Sequence, residues 1–180
     1  NKNIQTNKLD AKLDYYYIIN NKSNINVTLG TTQSAQQFDS SIFQILEDGS
    51  TVNFENSLAD GSGETQPLTN DVRFNFSDIF LGLHYKLKTG IITWTPGVTL
   101  HQFKTKSTQL GTTTDDPEFL ALPDLFVDVR FAQSKSLRFD YQMTANYTDI
   151  TNFAEGLIFN NFNSLFRGNR ELEKAIYHNV

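Results

Sequence analysis

The chain offers three histidines to chemistry, His84, His101 and His178, and no cysteine. The histidines do not cluster in sequence, and none has a second histidine at metal-ligand spacing. Without a thiol there is no disulfide and no thiolate metal site. No nucleophile elbow, phosphate-binding loop or zinc-protease motif occurs. We therefore assign no catalytic residue, no cofactor and no metal, and expect no enzyme activity. Asp60-Gly61-Ser62-Gly63-Glu64 carries oxygens of the kind calcium takes, but not the full ligand ladder of a calcium loop. A solvated acidic loop is the expectation there. The other notable ionisable residues are Asp78, His84, His101, Asp128, Arg130, Arg138 and Asp140. All fall on the polar side of alternating segments, which suits the lining of a polar lumen better than a reaction centre.

The elements that carry them have a period of two almost throughout. Leu9, Ala11, Leu13, Tyr15, Tyr17 and Ile19 share one face against even positions that include Asp10, Lys12 and Asp14, and Ile25, Val27 and Leu29 follow. Ile79, Leu81, Leu83, Tyr85 and Leu87 oppose Asp78, Gly82, His84, Lys86 and Lys88. Ile92, Trp94, Pro96, Val98 and Leu100 alternate with Thr93, Thr95, Gly97, Thr99 and His101. Leu125, Val127, Val129 and Phe131 face away from Asp124, Asp128 and Arg130. Leu137, Phe139, Tyr141, Met143 and Ala145 face away from Arg138, Asp140, Gln142, Thr144 and Asn146. Val72, Phe74, Phe76, Leu120 and Leu122 break the phase, and bulges or strands rising beyond a membrane would explain them.

The six strands form three hairpins with short turns at Asn21-Lys22-Ser23, Thr89-Gly90 and Ala132-Gln133-Ser134. Long polar stretches, 33–71, 104–118 and 148–175, separate the hairpins. Short turns on one edge and long loops on the other are the pattern of an outer-membrane β-barrel. The expected fold is all-β: an antiparallel up-and-down meander of six to seven strands, one segment of a transmembrane barrel. Tyr15, Tyr17, Tyr85, Trp94, Phe131 and Phe139 lie near the short turns, where an interfacial girdle belongs.

Loop parity sets the register. A two-residue Thr89-Gly90 turn pairs Leu87 with Ile92, Tyr85 with Trp94, Leu83 with Pro96 and Leu81 with Val98. On the polar face it sets Gly82 opposite Gly97 and Asp78 opposite His101. The outer hairpins need odd loops. In the last one, three residues place Asp128 opposite Arg138, whereas five would oppose like charges. Within 33–71, Ile42–Leu46 and Thr51–Phe54 flank a turn at 47–50 and read as a small hairpin, expected to lie over a ligand entrance.

Net charge is −5. From Ser23 to Val72 there is no Lys or Arg, while Asp39, Glu47, Asp48, Glu55, Asp60, Glu64 and Asp71 accumulate. Such a stretch repels phosphate, so nucleic acid is not an expected partner. No run of 18 apolar residues is present, so no helix is expected to span a bilayer. The ends read as cut: a signal peptide removed upstream, and a strand beginning at Tyr177-His178-Asn179-Val180.

Ser136–Tyr141, Asn152-Phe153, Ser164–Glu173 and His178-Asn179, in that order, resemble the barrel of TonB-dependent outer-membrane receptors of the Bacteroidota type. Gly168, Asn169, Glu171, Leu172, His178 and Asn179 fit a recurrent stretch of that family, with Arg170 and Lys174 where it has prolines. Trp94–Val98 and Phe119–Leu125 resemble its barrel strands. The resemblance implies a bacterial outer-membrane location and active uptake of a small-molecule, glycan or peptide ligand, powered by periplasmic TonB through parts upstream. It also implies that Gly168, Asn169 and Leu172 are structural. A small complete barrel of structural or adhesive role and a soluble β-sandwich that binds glycans are the alternatives.

Overall fold

A computed structural model describes residues 1–53, 57–59, 65–132, 134–146, 150–161, 164–169 and 174–180. The strands are β1 (Lys2–Asn20), β2 (Ser23–Ser41), β3 (Phe43–Ile45), β4 (Thr51–Asn53), β5 (Ser57–Ala59), β6 (Thr65–Pro67), β7 (Thr69–Thr89), β8 (Ile92–Gln109), β9 (Thr112–Ala132), β10 (Lys135–Asn146), β11 (Ile158–Asn161), β12 (Ser164–Phe166) and β13 (Ala175–Asn179). Seven of them make one antiparallel sheet in the order β1-β2-β7-β8-β9-β10-β13. The expected up-and-down meander is the observed fold. The pairs β3–β4, β5–β6 and β11–β12 are two-stranded satellites within the long connections. The first is the hairpin expected around 47–50.

The strands are longer than the alternation suggested. β7 and β9 have 21 residues each, about 70 Å of extended chain. The stretch 33–71 is not all loop: β2 runs to Ser41 and β7 starts at Thr69. The stretch 104–118 is strand, apart from a turn at Leu110-Gly111 with φ of 49° and 76°. Two successive left-handed residues make the type I′ turn that matches strand twist. Polar Thr, Lys and Ser there read as loop but serve equally well as solvent-facing strand. Within 148–175 the described residues hold a 3-10 turn at Ile150–Phe153 and the β11–β12 pair, and β13 begins at Ala175.

Turn chemistry also moves the middle register by two residues. Thr89 pairs with Ile92, and Gly90-Ile91 forms the turn. Gly90 is at φ +62° and Ile91 is not left-handed, the type II′ arrangement with glycine first. Leu87 therefore meets Trp94, Leu83 meets Val98, and Gly82 meets Thr99. The outer hairpins close through two-residue turns plus a bulge, between Ile18 and Asn20 and at Lys135/Ser136. The bulges supply the odd count that parity required. Asp128 lies opposite Arg138, as the charge argument chose.

The out-of-phase residues are not bulges. Pairing of β7 with β2 runs without a shift from Thr69 to Leu87. Instead the two faces exchange character near Ser77-Asp78. On the short-turn side of that level, Ile79, Leu81, Leu83 and Tyr85 are exposed on one face while Asp78, Gly82 and His84 line the other. Beyond it, Asn75, Arg73 and Asp71 occupy the first face, and Phe76, Phe74 and Val72 the second. The reason lies in the connection after β10. It folds back so that Ile150, Phe153, Ala154 and Ile158 pack on Phe38, Val72 and Phe74, with Phe74 and Phe153 stacked at 5.1 Å. Two buried amides tether it. Gln109 Nε2 donates to the Phe153 carbonyl (3.0 Å), and its Oε1 accepts from the Glu155 N–H (3.2 Å). Asn70 Oδ1 accepts from the Gly156 N–H (2.8 Å).

Candidate functional site

The polar face of the sheet collects most of the candidate residues. Strand alternation puts even positions of β7, β9 and β10 and odd positions of β8 on this face. Asp78 and His101 meet there, His101 Nδ1 lying 2.9–3.0 Å from both carboxylate oxygens. They do so diagonally: Asp78 is directly opposite Phe103, and His101 opposite Phe80. The register shift turned an expected cross-strand pair into a diagonal one without separating the side chains, which diagonal neighbours can still bridge.

His84 makes the second such pair. Its Nε2 lies 2.9 Å from Asp124 Oδ2. The two residues are on β7 and β9, so the pair spans β8 at Gly97, which is opposite His84 on one side and Asp124 on the other. A Cβ at position 97 would sit 2.2 Å from His84 Cδ2 and 2.6 Å from Asp124 Oδ1. Glycine is thus what lets the side chains join. Sequence reasoning missed Asp124 as a partner because it placed Gly97 opposite Gly82. A glycine flanked by polar cross-strand neighbours is the signal that would have found it.

Near the short turns, Asp128 is buried and takes two cations. Arg130 Nε donates to Oδ2 at 2.9 Å, and Arg138 Nε stands 3.6 Å from Oδ1. Asp140 is exposed on the same face, opposite Phe126. On β1 and β2, Thr28 donates to Asp14 (2.6 Å) and Thr32 to Asp10 (2.7 Å). Towards the long connections Lys174 pairs with Glu118.

Aromatic rings floor the middle of this face. Phe80 and His101 stack at 5.3 Å, His101 and Phe103 at 5.0 Å, and Phe103 lies 5.9 Å from Phe76. A cleft of about 460 Å³ opens beside them, lined by Asp78, His101, Asp124, Gln142 and Asn146 among others. His178 is not part of it. It sits on the opposite face, where its Nδ1 is 2.9 Å from the Tyr141 hydroxyl.

Each imidazole is held by one carboxylate, and no Ser or Thr hydroxyl hydrogen-bonds either ring among the described residues. No group of three or more metal-ligating side chains gathers among the described residues. Gly168 and Asn169 donate backbone N–H groups to the carbonyls of Ala154 and Asn152 (2.7 Å each), clasping the folded-back connection. Leu172 and the stretch 60–64 lie outside the described residues. No protein-family model, curated protein or solved structure matches this chain.

Proposed function

We propose that this chain forms part of the wall of an outer-membrane β-barrel, in a receptor that takes up a small-molecule, glycan or peptide ligand with TonB-supplied energy. The exchange of faces at Ser77-Asp78 carries the reading. The apolar band on the first face is Ile79–Leu87 on β7 and Ile92–Leu100 on β8. Nine residues is the length a tilted strand needs to cross hydrocarbon. Beyond the band that face turns polar, as strand projecting into water requires, and the opposite face gains a protein core. Leu83, Trp94 and Phe139 are 49%, 40% and 44% exposed, so among the described residues no second layer covers them as a β-sandwich would.

The stagger of the short turns supports closure into a barrel. One perpendicular row runs Asp14–Thr28–Gly82–Thr99–Leu122. From it the strand continues six residues to Asn20 on β1, seven to Thr89 on β7 and ten to Ala132 on β9. Four residues over four strand steps is a shear of one per strand. About 3.3 Å of rise against about 4.8 Å of spacing tilts the strands by about 35°, within the range barrels use. Further strands beyond the edges β1 and β13 complete the ring. TonB and the ligand rest on the resemblance of Gly168–Asn169 and its flanks to the receptor family.

Spin labels at Leu83 and Thr99 test the barrel in lipid vesicles. The label at 83 should collide with oxygen and the label at 99 with a water-soluble nickel complex. Equal access to nickel at both sites refutes a membrane wall. Ligand-dependent growth that persists without TonB refutes the receptor.

A further inference from the structure

We propose that the outward face carries a docking trough for the phosphate headgroup of a membrane lipid, at the level where the apolar band ends. The inference rests on the barrel reading above. Lys106 lies in one cross-strand row with Asn75 and Ala35, and Lys104 in the next with Ser77. The small side chains of Ala35, Asn75 and Ser77 form a floor between the lysines on β8 and Leu9 on β1. The trough holds about 540 Å³.

Three features select the occupant. The first is height. Leu9 and Ile79 are the last apolar residues of the band on β1 and β7, so the trough begins where hydrocarbon gives way to headgroups. The second is charge. Lys106 makes no ion pair among the described residues; Asp115 stands opposite it on β9 and lies 3.5 Å from Lys104, so two ammonium groups share one carboxylate and the pair keeps a net positive charge. Lysines at this depth extend long apolar stems and keep their ammonium groups at the interface. The third is the lane below. Leu13, Leu29, Leu81 and Leu100 form one row across four strands, beneath the trough on the same face. A phosphate held between the ammonium groups would leave its acyl chains lying along those leucines. A free anion would gain nothing from that lane.

The test is partition of the full chain into vesicles of phosphatidylcholine alone or of an equal mixture with phosphatidylglycerol. The wild type should favour the mixture, and Lys104→Gln with Lys106→Gln should reduce that preference about tenfold. Partition into phosphatidylcholine should not change. Lys86→Gln with Lys88→Gln removes the same charge from the opposite face and should keep the preference. An unchanged preference in the first variant overturns the trough and leaves the barrel standing. Failure of the wild type to enter either vesicle overturns both. Tight binding of inorganic phosphate by the detergent-solubilised chain, without any lipid preference, overturns the lipid as occupant.

Discussion

His84 and Asp124 meet across an intervening strand, their 2.9 Å contact lying directly over the backbone of Gly97. The pair joins β7 to β9 as a side-chain brace where the sheet has only the smallest possible residue between them.

Gly97→Ala should break this brace, because the methyl group would overlap the imidazole. Overpacking of this kind costs about 1–3 kcal/mol. In a His84→Ala background the same change should cost less, since the ring is gone and the Asp124 carboxylate, released from it, can turn away from the methyl group. Urea unfolding of the four members of that cycle measures the coupling. Equal costs in both backgrounds would show that the brace is not what requires glycine.

Leu110 is the one non-glycine residue with positive φ among the described residues, and it is exposed. Left-handed backbone costs an ordinary side chain about 1–2 kcal/mol, and asparagine tolerates it better. Leu110→Asn creates the Asn-Gly pair that type I′ turns prefer. It should stabilise the β8–β9 hairpin by about 1 kcal/mol, read as slower amide exchange at Thr112 and Thr113. Faster exchange would mean that the Leu110 side chain contributes more than its backbone costs.

Much of this architecture was legible in the alternation, and the misses share a cause. A register shift of two residues leaves every side chain on the same face, so apolar patterning could not choose between Thr89-Gly90 and Gly90-Ile91 as the turn. Only the backbone angle at Gly90 decides. Asp128 and Arg138 were placed correctly because opposed like charges penalised the alternative. The turn at Leu110-Gly111 was invisible because leucine is an unusual residue for that conformation. Val72, Phe74 and Phe76 looked like errors of phase because a period of two says which residues share a face, not what covers it. Their cover, Ile150 and Phe153, is about 75 residues away in sequence.

Gln109 is buried with both ends of its amide engaged by the folded-back connection. Gln109→Leu keeps the bulk but leaves the Phe153 carbonyl and the Glu155 N–H without their partner. Each buried group left unsatisfied costs about 1–3 kcal/mol. Hydrogen exchange should rise across 150–158 and stay unchanged at the short turns. A uniform rise along β7 and β8 would instead mean that the amide stabilises the whole sheet.

The turn between β3 and β4 should loosen in acid. The Ser50 hydroxyl donates to Asp48 at 2.6 Å and its N–H at 2.9 Å, and these bonds hold the carboxyl below its ordinary value of 3.8. A lowered folded value means that the carboxylate stabilises the turn above the ordinary range. That contribution fades as pH falls through the lowered value. The Ser50 amide resonance should follow this titration, and Asp48→Asn should remove the pH dependence. A pH-independent Ser50 signal in the wild type would show that the carboxylate does not hold the turn.

On the proposed membrane wall, one substitution should have opposite outcomes a short distance apart. Leu83 is at the centre of the nine-residue band on β7, and Gln102 is the first outward residue past the band on β8. Arginine facing lipid at the midplane costs about 2–4 kcal/mol, and near an interface about 0–1. Leu83→Arg should therefore block folding into vesicles, while Gln102→Arg should fold as the wild type does. In a water-soluble sheet the order would reverse in kind: an arginine at 83 would relieve an exposed apolar patch and raise solubility. The fraction of each variant that folds into bilayers, measured beside its solubility without detergent, separates the two physical settings directly.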